Sequence, residues 1–335
     1  MSLMIPKNYD PLLNIRETEI AIKLIKDTFE KTLAKALHLT RVSAPLFVFP
    51  ETGLNDNLSG VERPVRFDIK ALAGREVEIV HSLAKWKRFA LKKYGFAAGQ
   101  GLYTDMNAIR RDEELDNLHS IYVDQWDWEF ILDKADRTEQ TLETIVKKIF
   151  SVFKTVETAV TAAYPAVKPF LPKEVTFMTT QALYDQYPGL SAKEREDAVC
   201  REYGAVFLTK IGGKLSNGEK HDDRAPDYDD WQLNGDLLFY YPVLSRAMEV
   251  SSMGIRVDED SLLSQLEEAG EEKRKTLPFH ADVLNRRLPY TAGGGLGQSR
   301  ICMFFLNKAH IGEVQASMWS DEMIQACAAQ GIHLL

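Results

Sequence analysis

Gly293-Gly294-Gly295-Leu296-Gly297-Gln298-Ser299-Arg300 is the stretch on which the reading of this chain turns. A glycine run entering a helix suggests a dinucleotide-binding α/β fold, but Gln298 stands where the third glycine of that fingerprint belongs and no βαβ unit surrounds it. The second candidate, Ile211-Gly212-Gly213-Lys214-Leu215, puts Leu where a P-loop needs Ser or Thr and lacks the first glycine at the right distance. What remains at Gly293 to Gly297 is a flexible glycine turn ending at a helix N-terminus with Arg300 in its first turn. Backbone N–H groups and a guanidinium there suit an anion such as a nucleotide phosphate, and a tight turn with a solvated arginine fits equally well.

Outward from that turn the pattern is antiparallel. Apolar residues at helical spacing (Ile20, Leu24, Ile25, Phe29, Leu33, Leu37) predict a helix from about Glu17 to Leu37. A β-rich run from Thr40 to Phe49 follows, and its Pro45 suits an edge or interface strand. Short strands are expected at Val77 to Val80, Leu102 to Ile109 and His119 to Glu129, then helices at Gln140 to Tyr164 and Ala192 to Tyr203. Strands at Ala205 to Ile211, Asp236 to Val243 and Ala247 to Val257 precede a charged helical stretch from Asp258 to Arg287 and an apolar helix from Gln298 to Leu306. Runs of strands with helices inserted between them argue α+β with a mostly antiparallel sheet flanked by helices. With no repeat or linker, the chain reads as a 1–16 arm and one 17–335 domain carrying helical insertions at about 140–203 and 258–287.

Composition narrows the class. In 335 residues, 41 Lys and Arg against 49 Asp and Glu give a net charge of -8, which argues against a nucleic-acid or acidic-membrane binder. Cys200, Cys302 and Cys327 are odd in number and lack C-x-x-C spacing, and no signal peptide or membrane-length apolar run is present, so a cytoplasmic protein is expected. The seven histidines show no zinc spacing, no Gly-x-Ser-x-Gly elbow occurs, and Cys200 sits in a helical stretch as a structural thiol would.

Two constellations carry chemistry. In Tyr122 to Glu129, period-2 geometry puts Gln125, Asp127 and Glu129 on one face and Asp124, Trp126 and Trp128 on the other. The polar face is either a pocket lining or the wet side of a half-exposed sheet. The acidic run Asp222, Asp223, Asp227, Asp229, Asp230 and Asp236, with Glu249 beyond, offers hard oxygens for Mg²⁺ or a solvated loop, and Asp236 and Glu249 are the better ligands because their surroundings are strand-like.

Together these pieces resemble the catalytic core of the class II aminoacyl-tRNA synthetases, in the aspartyl/asparaginyl branch. The 17–49 helix and strand resemble its dimer-forming first motif, Arg110-Arg111-Asp112-Glu113 its second, and Gly293 to Arg300 its third. His81 to Lys87 and Gln125-x-Asp127-x-Glu129 are similar to amino-acid-binding segments, and Glu249 to Arg256 to the segment whose Glu holds Mg²⁺. With a first motif starting by about residue 17 there is no room for the anticodon-binding domain of those ligases. The closer likeness, over essentially the whole chain, is to the bacterial ammonia-dependent asparagine synthetases: Asp56 to Gly60, His81 to Arg88, Gly101 to Thr104, Val123 to Glu129, Arg224 to Trp231 and Asn234 to Asp236 all resemble their signature stretches.

That resemblance implies aspartate, ammonia and ATP as substrates, a β-aspartyl-AMP intermediate, Mg²⁺, a homodimer, and no nucleic acid or membrane partner. It implies Ser82, Lys87, Gln125, Asp127, Asp227, Ser251 and Ser252 around the amino acid. ATP would be held by Arg110, Arg111, Glu113, Gly295, Gly297 and Arg300, and the metal by Asp236 and Glu249. Related ligases carry Pro where this chain has Arg111, so Arg110 is read as the α-phosphate ligand with Arg111 in reserve. Asp56 is assigned to positioning or deprotonating ammonia. The cysteine positions independently argue for free ammonia, because a glutamine-hydrolysing domain of the N-terminal type needs its nucleophilic Cys at the mature start and the first here is Cys200. The competing readings are a non-catalytic paralogue that senses aspartate or asparagine, and an adenylate-forming enzyme with another acceptor.

Overall fold

The computed structural model describes residues 3–335; Met1 and Ser2, the start of the expected 1–16 arm, lie outside the described residues. In chain order the elements are α1 (Ile15–Leu37), β1 (Leu39–Arg41), β2 (Phe47–Val48), β3 (Arg66–Ile69), β4 (Arg75–Ile79), α2 (Ala84–Lys93), β5 (Gly101–Ile109) and β6 (Tyr122–Ile131). There follow α3 (Glu139–Ala163), β7 (Thr176–Thr179), α4 (Thr180–Gln186), α5 (Ala192–Tyr203), β8 (Ala205–Thr209), β9 (Asp229–Tyr241) and β10 (Arg246–Arg256). The remainder is α6 (Glu259–Glu268), α7 (Pro278–Leu284), β11 (Thr291–Gly297), α8 (Gln298–Phe305) and α9 (Asp321–Ala328). Among the described residues no helix is long and apolar enough to cross a membrane.

An eight-stranded sheet in the order β1-β5-β6-β11-β10-β9-β8-β7 is the frame, and β2-β4-β3 form a second, smaller sheet. Only the outer pairs β1/β5 and β7/β8 are parallel. The expected α+β, mostly antiparallel fold is what forms. Pairing partners share a face, so the register gives each face its composition. One face carries Trp126, Trp128, Leu296, Met253, Leu237 and Phe239, which join the main hydrophobic core. That core is closed by α1, α3 and α8: Phe29 stacks on Trp126 at 4.7 Å and meets Phe153 edge-on at 5.0 Å. Helix α1 forms because Ala21, Ile25, Phe29, Leu33 and Leu37 recur every four residues and Asn14 and Glu17 close a reciprocal cap at its start. It stops at His38, which turns left-handed at φ 54°.

The other face is covered only at its ends. Trp86, Ala90 and Leu91 of α2 pack on Leu102 and Met106 at one end, and Leu183, Val199 and Cys200 of α4 and α5 pack on Val206, Leu208 and Leu238 at the other. Between them only part of the sheet stays open, at Gln125 and Asp127 of β6, Gly294, Gly295 and Gly297 of β11, and residues 249–252 of β10.

Four local expectations change. The Gly293 to Gly297 segment is not a turn but strand β11, paired on both sides. The Thr40 to Phe49 run divides at Pro45, giving β1 to the large sheet and β2 to the small one. The charged stretch from Asp258 breaks into α6, a 3₁₀ turn at Glu272–Thr276 and α7, with Pro278 opening the last helix. Strand β9 starts at Asp229 rather than Asp236, because Asp229 and Asp230 find arginine partners in Arg256 and Arg137.

The segment after α8 is fixed by His310, a fully buried ring whose Nδ1 accepts the Gly312 N–H (3.0 Å) and which meets Trp319 edge-on. Burial pulls the His310 pKa down from 6.5 to about 4. The unfolded chain therefore binds a proton that the folded chain refuses, so stability is full above pH 6.5 and falls as pH drops toward 4, by about 3 kcal/mol from this residue. Urea unfolding at pH 7 and pH 4.5 is expected to show a larger acid loss in wild type than in His310→Gln, which keeps an acceptor without the proton site.

Candidate active site

The open stretch of sheet is the floor of a cavity of about 700 Å³. Its floor is flat because β11 has almost no side chains. A Cβ at Gly295 would collide with Gln125 Oε1 and come within 2.8 Å of Asp127 Oδ1, and one at Gly293 would run into the Glu129 carboxylate. On the reverse face a Cβ at Gly294 would meet Met253 Cβ at 2.6 Å and the Ser252 carbonyl at 2.8 Å. Glycine is required here by neighbours pressing from both sides, not by an unusual backbone angle.

Helix α2 carries three buried cations, of which Lys87 reaches this floor. Lys87 Nζ donates to the Gly294 carbonyl at 2.9 Å and lies 3.3 Å from Asp127 Oδ2; burial pulls its pKa down, opposed by Asp127. Arg88 donates to the Pro289 and Val257 carbonyls, and Lys85 donates to Asp227 Oδ2 at 2.9 Å. Beside them Asp56 holds a tight turn by accepting Leu58 N–H (2.8 Å) and accepts the Ser82 hydroxyl at 2.7 Å.

The opposite end is built around two guanidiniums. Arg300 donates to the Leu118 carbonyl (3.2 Å) and the Glu249 carbonyl (3.1 Å), with its Nη1 3.6 Å from the Glu249 carboxylate. Arg110 enters from the end of β5, 3.9 Å from Glu113, and its Nε has no partner among the described residues. Glu249 reaches the cavity through a β-bulge: it pairs with Leu238 while Ser251 pairs with Leu237, leaving Val250 over. Without that extra residue, Glu249 and Ser252 would point to opposite faces.

Asp236 pairs with Ser252 on the same face and is bonded by Arg224. Its carboxyl is pushed up to about 7 by burial and by the nearby Glu249 and Asp222 charges, against the pull of Arg224. Glu249 stays below its ordinary value because Arg300 and Arg224 outweigh its burial. Asp236 Oδ1 has no partner among the described residues. Glu249 lines the cavity whereas Asp236 does not and is held by Arg224; the unused Asp236 oxygen and the Glu249 carboxylate are of the donor type that suits a divalent cation. No group of three or more His, Cys, Asp or Glu gathers into a metal cage among the described residues, so such an ion would draw further oxygens from phosphate.

Of the residues expected from the sequence, Asp56, Ser82, Lys87, Arg110, Glu113, Gln125, Asp127, Glu249, Ser251, Ser252, Gly295, Gly297 and Arg300 line this one cavity. Arg111 points to solvent. Asp227 does not line the cavity: fully buried, it gathers Lys85, Arg274 (3.2 Å) and His280 (2.8 Å), tying the 222–228 loop to α2 and α7. Glu129 lies on the expected face but is consumed by Arg256 (2.7 Å) and Thr291 (2.6 Å). Asp229 of the acidic run also lines the cavity, as do Arg224 and Arg256, to which the sequence reading gives no role of their own. An arginine inside the acidic run 222–230 and another at the end of the apolar stretch that forms β10 are the available signals.

A family model described as aspartate-ammonia ligase matches residues 16–331. The chain is 66% identical over 334 residues to the aspartate–ammonia ligase of Ruminiclostridium cellulolyticum, covering all of this chain and 99% of that protein. It is 64% identical over 333 residues to the enzyme of that name from Clostridium perfringens, covering 99% of each. Among solved structures it is similar to an asparaginyl-tRNA synthetase from Entamoeba histolytica bound to asparaginyl-adenylate (TM-score 0.60, 14% identity, 90% of this chain and 66% of that one). The asparaginyl-tRNA synthetase from Pyrococcus horikoshii, complexed with asparaginyl-adenylate, gives a TM-score of 0.60 at 16% identity over 90% of this chain and 69% of that one. The chain thus spans about two thirds of those synthetases, which share its fold.

The two faces of β11 predict separable effects. Gly295→Ala displaces Gln125 and Asp127, and is expected to raise the KM for the amino-acid substrate by roughly tenfold or more with a small change in unfolding midpoint. Gly294→Ala presses on backbone and core instead, and is expected to cost about 1–3 kcal/mol of stability. Steady-state kinetics and denaturant unfolding of both variants check this.

Proposed function

The chain belongs to the aspartate–ammonia ligase family, and from that premise we propose how its cavity makes L-asparagine from L-aspartate, free ammonia and ATP. The β-carboxylate oxygen of aspartate attacks the α-phosphorus of ATP, giving β-aspartyl-AMP and releasing pyrophosphate. The ammonia nitrogen then attacks the activated carbonyl carbon, AMP leaves, and the nitrogen sheds the extra proton. The chemistry needs both signs of charge in one place: a carboxylate and an ammonium to hold, and phosphoryl charge to neutralise as it develops. The observation that carries the assignment of roles is that the buried Lys87–Asp127 pair and the Arg110 and Arg300 guanidiniums open onto the same cavity.

In this reading Lys87 and Ser82 face the carboxylate groups of aspartate while Gln125 and Asp127 face its ammonium, with Ser251 and Ser252 beside them. Arg110 binds the α-phosphate and stabilises the charge passing through it. Arg300, Glu113 and the backbone at Gly295 and Gly297 hold the rest of ATP. Asp236 and Glu249 would hold Mg²⁺, which supplies charge neutralisation at the departing pyrophosphate. Asp56, steadied by Ser82, takes the proton from the incoming nitrogen. Asp227 acts at a distance from the substrates by fixing Lys85 and the loop that carries Arg224.

We read the protein as a cytoplasmic homodimer. The support is the exposed Ile15 and Ile20 on α1 with exposed Leu46 and Phe47 at β2, all within or beside the 17–49 helix and strand, and three cysteines buried as free thiols. Sedimentation is expected to give twice the chain mass, and a monomer at micromolar concentration would end the dimer reading.

The decisive test is formation of AMP and asparagine from ATP, Mg²⁺ and aspartate with ammonium, with glutamine, and with no nitrogen source. Both products are expected with ammonium alone. Equal turnover with glutamine would refute the donor, and pyrophosphate exchange without asparagine would point to another acceptor. In the same assay Arg110→Ala is expected to lose about 100-fold or more in kcat, whereas Arg111→Ala stays within about threefold.

A further inference from the structure

We propose that Asp124 is a positioning residue for ATP: from β6 it caps α8 in place of the side chain Gly297 lacks, and so fixes where Arg300 sits. The proposal rests on the reading of Arg300 as an ATP ligand.

A helix N-terminus leaves several N–H groups without partners, and the residue before the helix normally satisfies one of them through its side chain. At α8 that residue is Gly297, which offers none. The missing acceptor arrives from the neighbouring strand. Asp124 Oδ1 accepts the Ser299 N–H at 3.0 Å and the Ser299 hydroxyl at 2.6 Å. Gln315 Nε2 bonds the Ser299 hydroxyl at 2.9 Å and lies 3.3 Å from the same Oδ1. Asp124 Oδ2 takes Lys26 of α1 at 3.2 Å, so the carboxylate is held from a fourth direction. The side chain is 9% exposed, and a buried charge held this way resists displacement.

The next residue in α8 is Arg300, whose guanidinium spans the Leu118 and Glu249 carbonyls at the ATP end of the cavity. Rotation of the first turn of α8 would carry Arg300 off both. Asp124 and its neighbour Gln125 both border the cavity, but Asp124 spends its carboxylate on Ser299, Gln315 and Lys26, whereas Gln125 is turned to the glycine floor at Gly295. Loss of the Asp124 carboxylate is therefore expected to act first on α8 and Arg300, since none of its bonds goes to Gln125 or Asp127.

The test is steady-state kinetics with Mg·ATP and aspartate varied in turn, for wild type, Asp124→Ala, Asp124→Asn, Arg300→Ala and the Asp124→Ala/Arg300→Ala pair. Asp124→Ala is expected to raise the ATP KM by about tenfold with the aspartate KM within about twofold. Asp124→Asn keeps an acceptor for the Ser299 N–H and is expected to stay within about threefold of wild type. Because the two residues act through one contact, the double variant is expected to be no worse for ATP than Arg300→Ala alone. A rise in both KM values together, an unchanged ATP KM, or multiplying effects in the double variant would overturn the proposal. An Arg300→Ala enzyme with unchanged ATP KM would overturn the reading of Arg300 and this proposal with it, whereas a raised ATP KM in Arg300→Ala alone overturns only the role of Asp124. If Asp124→Ala does not fold, Ser299→Ala removes the hydroxyl bonds to Asp124 and Gln315 while keeping the N–H bond, and is expected to raise the ATP KM by about threefold; no change would count against the proposal.

Discussion

The sheet of this protein depends on a strand that is nearly bare. β11 lies between β6 and β10, where a sheet ordinarily places its largest apolar residues, yet four of its seven positions are glycine. Side chains on the adjacent strands close over it from both faces: Met253 from the core side, Gln125, Asp127 and Glu129 from the cavity side. The result is a floor of backbone amides on which a substrate can lie within reach of polar groups from both neighbouring strands. Strand propensity alone would not hold such a segment, because glycine weakens a strand in isolation. Its pairing on both sides, and the packing of Leu296 into the core, hold it instead.

Charge is the second organising theme. Burying an ion is expensive unless a partner comes with it, and removing one partner is worse than never having had the pair. Here the buried ions come as alternating chains: Glu129–Arg256–Asp229, then Asp230–Arg137–Asp258, leading outward from the cavity floor. Arg256 holds Glu129 ionised despite complete burial. Such chains give the cavity walls fixed dipoles before any substrate arrives, which is what preorganised stabilisation of a phosphoryl transfer requires. Asp227 plays the equivalent part away from the cavity, where one carboxylate oxygen gathers a lysine, an arginine and a histidine from α2 and the 3₁₀ turn and helix that precede β11.

Much of the architecture was legible in local pattern. Helix α1 begins at Ile15 where periodicity placed it at about Glu17, and β6 divides its tryptophans from Gln125 and Asp127 as alternation requires. The misreadings share a cause. Gly293 to Gly297 looks like a turn because the reason for its glycines is the side chains of other strands, more than a hundred residues earlier in the case of β6. Asp229 and Asp230 look like loop residues because the arginines that allow them into a strand, Arg256 and Arg137, are distant in sequence. Asp227 could not be told from its neighbours for the same reason. Glu249 was placed correctly in a strand, but the bulge that turns it toward the cavity depends on register, which a single strand's composition does not specify.

The arm that precedes α1 has a bearing on how the chain reaches this state. Leu3, Ile5 and Tyr9 pack with Met323, Cys327 and Ile332, and the Tyr9 hydroxyl bonds Glu313 across 304 residues of sequence. Met4 is joined to Asn117, whose carbonyl receives the Ile311 N–H, so the arm also braces Ile311 on the cavity wall. Closing so long a loop costs entropy that is offset only when the intervening chain is ordered as well. The Ile311 side of the cavity is therefore braced by segments from both ends of the chain, and that wall is complete only when the two are docked together.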